Sequence, residues 1–154
     1  MAHLIAPKPL SSQLPVFYNV DQVVGAAPAH NVREDVLLVQ FAFSVIANKP
    51  VESTDPNTLA AARAVRVTGI IDAATINAIR TQQQQYAKKN PGKVVDGRVS
   101  PARGGYGYGS GLWTIARLNE SIQHRHIDIW PRIDKIPGCP GELKQMVKRE
   151  VIGV

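Results

Sequence analysis

The sequence predicts a mainly α-helical domain with extended segments at both ends, and three observations support this. The stretch at 36–47 is nearly all apolar and ends just before Pro50, where a helix cannot continue. Asp55 and Asp72 each stand directly before a helix-forming segment, in the position where aspartate caps a helix. Many of the 12 glycines and 11 prolines lie outside these segments, which indicates turns and extended chain there.

Composition limits the class of protein. With 154 residues, of which 44% are hydrophobic, the chain can build one modest core. The single cysteine, Cys139, excludes a disulfide scaffold and a cysteine-rich zinc module. The longest apolar stretch is interrupted by Gln40 and Ser44 and is too short to span a membrane. The first seven residues do not resemble a secretory signal, so we expect cytoplasmic synthesis and no membrane partner.

Residues 1–23 form the first predicted segment, an extended arm. Several prolines and a lack of helical periodicity favour extended chain, whereas the apolar residues argue against a disordered tail. Residues 16–20 fit either a short strand or an anchor that docks on a neighbouring molecule.

The first predicted helix begins near Asn31 and stops near residue 48. Asn31 is a good cap residue, and Glu34 stands three positions later, where the reciprocal partner of a capping box belongs. The residues that follow are apolar on nearly all sides, so we expect this helix at the centre of the core.

Three more helices and a tail complete the predicted elements. The second helix begins at Asp55, with Pro56 at its first helical position. The third begins at Asp72 and continues through the glutamines at 82–85, unless these form an exposed turn. After a turn and a short extended piece, we expect a glycine-aromatic loop at 103–111, a helix at about 112–123 and a short terminal helix at about 141–150.

Two stretches repeat a pattern of a glycine turn, apolar positions and a following helix. The first covers 68–75, and the second covers 96–101 with Thr114 standing later. Gly69 and Gly97 permit a positive φ angle at each turn, and the apolar residues anchor the loop in the core. The repeat therefore predicts two equivalent turns, each of which sets the direction of a helix.

This pattern resembles the peptidoglycan-binding-domain-like family, whose small three-helix domains repeat an Asp-Gly-x-apolar-Gly-Pro-x-Thr signature. Residues 35–40 resemble the Val-x-x-Leu-Gln core pattern of the first helix in that family. Residues 68–80, and 94–101 together with 114–119, resemble its two signature segments. The chain departs from the signature at Thr68, Asp72, Ala73 and Ser100.

The resemblance covers roughly residues 24–119 and implies a compact helical domain there, between the arm at 1–23 and a tail at 120–154. It implies a non-catalytic protein that recognises bacterial cell-wall peptidoglycan or its stem peptides. Because the first seven residues predict no export signal, we expect such a protein to reach the wall as part of a phage-tail-like or contractile secretion machine. The alternative is a structural or adaptor subunit of such an assembly, which packs on other protein subunits without binding the wall.

Nearly all of the excess charge lies in one segment. The formal net charge of the chain is +6, and residues 61–118 contain nine basic residues and two acidic ones. Such a segment attracts anionic partners, or it forms a solvated basic face without a partner.

The loop at 103–111 and its flanks supply the predicted ligand-binding residues. Aromatic rings stack on sugars and apolar faces, and arginines bind carboxylates in bidentate fashion. The alternative is a surface loop or an assembly contact without a ligand. A single Arg-Gly run is weak evidence for RNA binding, so nucleic acid is disfavoured as a partner. The candidate residues are Arg98, Arg103, Tyr106, Tyr108 and Trp113.

The sequence predicts no metal, no cofactor and no catalytic site. The alternation of His124, His126 and Asp128 would place all three on one side of a strand, as metal ligands. A hydrolytic zinc site needs a further ligand and a base, so a surface or interface pair of histidines is favoured. The Gly-x-Ser-x-Gly, phosphate-loop and His-Glu-x-x-His motifs are absent from the sequence. Cys139 has no neighbouring cation in the sequence to activate it. We therefore expect that the protein is not an enzyme.

Overall fold

A computed structural model gives the fold and describes residues 2–6, 14, 16–103, 107–108 and 111–152. About half of the chain is helical, so the prediction of a mainly α-helical fold is confirmed. The α helices are α1 (Arg33–Asn48), α2 (Pro56–Arg63), α3 (Ala73–Lys89), α4 (Thr114–Arg125) and α5 (Gly141–Val147). Antiparallel strand pairs join β1 (His3–Ile5) to β2 (Phe17–Asn19), β3 (Val24–Gly25) to β4 (Arg98–Val99), and β5 (Gly107–Tyr108) to β6 (Gly111–Leu112).

Helix α1 occupies the centre of the core, as predicted. Helices α2, α4 and α5 all contact it, and nearly every residue from Asp35 to Ile46 is buried. Phe41 and Phe43 are among the largest fully buried side chains. Burial of a side chain of this size stabilises the fold by about 1.5–3 kcal/mol. The helix is therefore a main source of hydrophobic stabilisation.

The start of α1 differs from the prediction that Asn31 caps it. Val32 takes the cap position and makes no side-chain hydrogen bond there. Asn31 has a φ angle of 52°, and its side chain closes the preceding turn instead. Its Oδ1 accepts from the N–H of Gly25 at 2.7 Å, and its Nδ2 donates to the oxygen of Gly25 at 3.1 Å. Glu34, the expected reciprocal partner, forms an ion pair with Arg149.

The other two predicted caps are confirmed. The carboxylate of Asp55 accepts from the N–H of Thr58 at 2.9 Å, and that of Asp72 accepts from the N–H of Thr75 at 2.8 Å. Helix α3 runs unbroken through the glutamines at 82–85, so these residues are helical and do not form an exposed turn.

The last two helices lie close to their predicted bounds. Helix α4 begins two residues later than expected, because Gly111–Leu112 pairs with β5. A 3₁₀ helix over Ile133–Lys135 precedes α5. Beyond α5, the chain continues as a π-helical turn over Lys148–Ile152.

The N-terminal and C-terminal segments pack against each other and against the helical centre. The strand predicted within 16–20 is present as β2, which buries Tyr18 completely. The N–H of Tyr18 donates to Oδ1 of Asn119 on α4 at 2.8 Å. Arg149 donates to the oxygen of Ala2 at 3.0 Å. Both end segments contribute buried residues to the same core, while the boundaries between arm, domain and tail stay a prediction.

Candidate functional site

Two glycine turns share one hydrogen-bonding pattern, in which a buried glutamine holds the turn. In the first turn, Oε1 of Gln40 accepts from the N–H groups of Thr68 at 2.9 Å and Gly69 at 2.8 Å. Its Nε2 donates to the oxygen of Ile70 at 3.0 Å and to Oγ1 of Thr75 at 3.1 Å. The side chain thus supplies partners for polar groups that folding removes from water.

The second turn repeats this pattern around Gln83 of α3. Its Oε1 accepts from the N–H groups of Asp96 at 3.2 Å and Gly97 at 2.9 Å. Its Nε2 donates to the oxygen of Arg98 at 2.8 Å and to Oγ1 of Thr114 at 3.2 Å. Thr114 is the first residue of α4, so the turn is tied to the start of that helix. These matching contacts confirm the predicted repeat of the two turns.

Both turns require glycine. The φ angles of Gly69 and Gly97 are 78° and 70°, in the left-handed region that favours glycine. A Cβ on Gly69 would lie 2.8 Å from Nη1 of Arg33, and one on Gly97 would lie 2.8 Å from Nη2 of Arg80. The repeat therefore has a purely structural explanation and does not by itself mark a binding site.

The structure describes the predicted ligand-binding residues only in part. Tyr106 lies outside the described residues, and Tyr108 is described only by its backbone in β5. Arg103 is exposed at the start of the loop. Arg98 is half-buried in β4, and its Nε has no hydrogen-bond partner among the described residues. Trp113 precedes α4 and packs against the core, so the convergence of the five residues on one ligand stays a prediction.

An open polar groove with a volume of about 580 Å³ is the strongest candidate site in the described part of the chain. It lies between the last turns of α3, one face of α4 and six residues that precede or begin α2, namely Val51, Ser53, Thr54, Asp55, Pro56 and Thr58. Four lysine and arginine side chains face two carboxylates there, so the groove is cationic. Its charged and titratable lining residues are Lys88, Lys89, Arg117, Arg125, His124, Tyr86, Asp55 and Glu120.

Arg117 is held in a defined position within this groove. Its guanidinium carbon lies 4.4 Å from the ring centre of Tyr86, which is a cation–π contact. The hydroxyl of Tyr86 accepts from the N–H of Leu112 at 2.7 Å. Nη1 of Arg117 lies 3.5 Å from Oε1 of Glu120. The fixed ring of Tyr86 therefore supports the arginine and connects the groove to the end of the glycine-aromatic loop.

Glu120 is a partly buried carboxylate beside this arginine. Burial raises its pKa, and the neighbouring Arg117 acts in the opposite direction. Asp55, the second carboxylate of the groove, is engaged as the cap of α2 through Thr58. Glu120 is therefore the groove carboxylate that is better placed to contact a ligand.

Arg125 has a structural role at one end of the groove. Its Nε donates to the oxygen of Lys49 at 2.8 Å, and its Nη2 donates to Oγ1 of Thr54 at 2.7 Å. Nζ of Lys49 donates back to the oxygen of Arg125 at 2.7 Å. Burial lowers the pKa of Arg125, which nevertheless stays charged. These bonds fix the segment 49–54 against α4 and so shape the groove.

The two histidines near the end of α4 do not lie on a strand. Helix α4 includes His124, and His126 follows the helix as its C-cap. The described residues contain no group of three or more histidine, cysteine or acidic side chains that fits a metal ion. His126 lines a smaller cavity of about 350 Å³ with Phe41 and Ile136, and burial, followed by the charge of Lys49, lowers its pKa.

The groove residues Tyr86, Lys88, Lys89 and Arg117 are missing from the site predicted by sequence. The sequence contains a signal that points to these residues, because all four belong to the basic segment 61–118 and the two lysines are adjacent. The sequence does not reveal that the end of α3 and the face of α4 border one groove. That proximity depends on the packing of both helices around α1 and α2.

Comparisons with protein-family models, curated protein sequences and solved structures find no match to this chain. The family resemblance therefore rests on the sequence motifs and carries no further support from relatives. Among the described residues, no helix combines the length and the apolar character needed to cross a membrane.

Proposed function

We propose that this protein is a non-catalytic binding module that contacts bacterial cell-wall peptidoglycan through the groove between α3 and α4. The cationic lining of that groove is the observation that carries the proposal. Peptidoglycan stem peptides are rich in carboxylates, which lysine and arginine bind. The two glycine turns serve the fold, and the ligand class is what the resemblance of the sequence to the peptidoglycan-binding-domain-like family implies.

The charge of the segment 61–118 is available to such a partner. Its two acidic residues are engaged in local structure, because Asp72 accepts from the N–H of Thr75 and Asp96 accepts from the N–H of Arg98. They neutralise little of the charge on nine basic residues. A local excess of positive charge attracts an anionic polymer, and salt screens that attraction.

The groove favours binding over hydrolysis of the polymer. Hydrolysis of a glycosidic bond generally requires two carboxyl groups placed on either side of the bond. Here the carboxylate of Asp55 caps α2, and that of Glu120 pairs with Arg117. Both carboxyl groups of the groove therefore already have protein partners.

Cosedimentation with purified peptidoglycan sacculi tests the proposal. The wild type is compared with the double variant Lys88→Ala/Lys89→Ala and with Lys135→Ala/Lys144→Ala, which loses the same charge. Lys135 and Lys144 are exposed and do not line the groove. We expect the first double variant to lose most of its binding and the second to bind like the wild type.

Two outcomes would contradict wall binding through the groove. Failure of the wild type to cosediment at low salt would reject the proposal. Binding that disappears at moderate salt, and that both double variants lose equally, would reduce it to nonspecific charge attraction.

A structural or adaptor subunit of a phage-tail-like or contractile secretion machine is the second candidate function. Exposed apolar side chains favour it, because Ile70 and Ile127 are 67% and 69% exposed, and Val94 and Val95, which are consecutive in the chain, are also exposed. Such side chains are available for contacts with a neighbouring subunit. Native mass spectrometry of the purified assembly distinguishes the two candidate functions. Stable incorporation of the protein into that assembly, without binding to sacculi, would favour the structural or adaptor subunit.

A further inference from the structure

Arg117 and Glu120 place opposite charges side by side on the groove face of α4. They stand at i and i+3 of the helix, with Nη1 and Oε1 3.5 Å apart. Their side chains are 39% and 36% exposed, and both line the groove. A ligand in the groove is therefore able to contact both charges at once.

Arg117 keeps donors for a ligand although it is held from one side. Its Nε is buried and has no hydrogen-bond partner among the described residues, so the N–H donors on the two Nη atoms are those left for a ligand. A strong charge-assisted hydrogen bond is about 2.7–2.9 Å long. The 3.5 Å contact with Glu120 is longer than that. The cation–π contact with Tyr86 helps to hold the guanidinium group in place, which reduces the entropy lost when a carboxylate binds to it.

Glu120 needs a positively charged partner, because its carboxylate is only partly compensated within the protein. Its carboxylate is partly removed from water, and burial raises its pKa. The long contact with Arg117 restores only part of the interaction energy that water would provide. An ammonium group placed against Glu120 would supply a direct charged hydrogen bond.

We propose that Arg117 and Glu120 form a subsite for a free amino-acid head group, which carries a carboxylate and an ammonium group on one carbon. The carboxylate binds Arg117, and Lys88 and Lys89 of the same groove add to the attraction. The ammonium group binds Glu120. This inference rests on the proposed function and specifies it: the module recognises the free head groups of stem peptides and not the charge of the polymer alone.

The first test compares native sacculi with sacculi whose free amino groups have been acetylated. Acetylation removes the positive charge of the ligand and makes the polymer more anionic. Charge attraction alone would therefore strengthen binding to the acetylated polymer. We expect the wild type to bind it about tenfold more weakly, as loss of a charged hydrogen bond predicts. Equal or stronger binding would overturn the subsite.

The second test compares Glu120→Gln with Glu52→Gln. Glu52 is exposed and does not line the groove. Both substitutions remove one negative charge, so charge attraction alone would leave the binding of an anionic polymer as strong as in the wild type or make it stronger. We expect Glu120→Gln to bind native and acetylated sacculi with the same weakened affinity, and Glu52→Gln to discriminate like the wild type. Identical behaviour of the two variants would mean that Glu120 serves only as an intrahelical ion-pair partner.

The third test uses small probes and does not depend on sacculi. Alanine, N-acetylalanine and alaninamide are titrated at millimolar concentration, and the NMR signals of Arg117 and Glu120 are followed in the full chain. We expect larger shifts with alanine than with either derivative at the same concentration, and equal responses to all three would overturn the subsite. If alanine shifts these signals but the wild type does not bind sacculi, wall binding fails and the head-group site remains.

Discussion

Gln40 and Gln83 stabilise the fold through contacts that ordinary secondary structure does not provide. Each side chain accepts two backbone N–H bonds and donates to a carbonyl and a threonine hydroxyl. A buried polar group left without its partner costs about 1–3 kcal/mol. Both turns should therefore depend strongly on one amide side chain each.

Replacement of Gln83 by leucine tests this dependence, with Gln84→Leu as its matched control. Gln84 is the next residue of α3 and is exposed. We expect Gln83→Leu to lower the free energy of unfolding by at least about 2 kcal/mol, because several buried groups lose their partner. The control should change it by less than about 0.5 kcal/mol. Urea unfolding measures both, and equal effects would show that the turn does not need the amide.

Cys139 provides a second prediction for a single residue. The thiol is 6% exposed, and burial raises its pKa to about 12. Little reactive thiolate forms at pH 8, so we expect slow reaction with a disulfide reagent in the folded state and fast reaction in denaturant. The stability due to the protonated thiol is complete below the unfolded pKa of about 8.5 and is lost as the pH rises towards 12. Similar labelling rates in both states would contradict this burial.

At the scale of elements, local sequence signals predicted the helices well. Contacts between residues distant in sequence caused the differences from the prediction. Asp55 and Asp72 cap helices as expected because the cap bond joins residues three positions apart. Asn31 has the same local signal, but strand β3 brings Gly25 within reach of its side chain. A cap motif therefore does not predict a helix cap where a neighbouring strand provides another hydrogen-bond partner for the same side chain.

The close approach of β3 and β4 gives a prediction at this scale. A Cβ on Gly25 would lie 2.1 Å from the oxygen of Gly97, whereas one on Gly92 would meet nothing within 4 Å. Both glycines have a positive φ, so Gly92→Ala isolates the conformational cost, roughly 1–2 kcal/mol. We expect Gly25→Ala to cost at least about 1 kcal/mol more, because overpacking adds to it. Thermal unfolding of both variants measures the difference, and equal midpoints would contradict the backbone contact.

At the scale of the whole molecule, the sequence predicts which segment carries the excess positive charge. It does not predict the groove in which part of that charge is brought together. The basic segment 61–118 already contains Lys88, Lys89 and Arg117. The composition of the loop at 103–111, where glycine and aromatic residues stand together, predicted a binding site there instead. The groove forms only because the packing of the helices places Tyr86 beneath Arg117. Sequence patterns identify residue types, whereas the meeting of distant elements requires the fold.

An NMR titration of the isotopically labelled protein with soluble peptidoglycan fragments tests the central claim most directly. We expect the largest chemical-shift changes along the groove, at the end of α3 and on the facing side of α4, centred on Tyr86, Arg117 and Glu120. Lys135 and Lys144, which do not line the groove, serve as internal references. Changes confined to the loop at 103–111, or no changes at saturating fragment concentration, would contradict recognition of the wall through the groove.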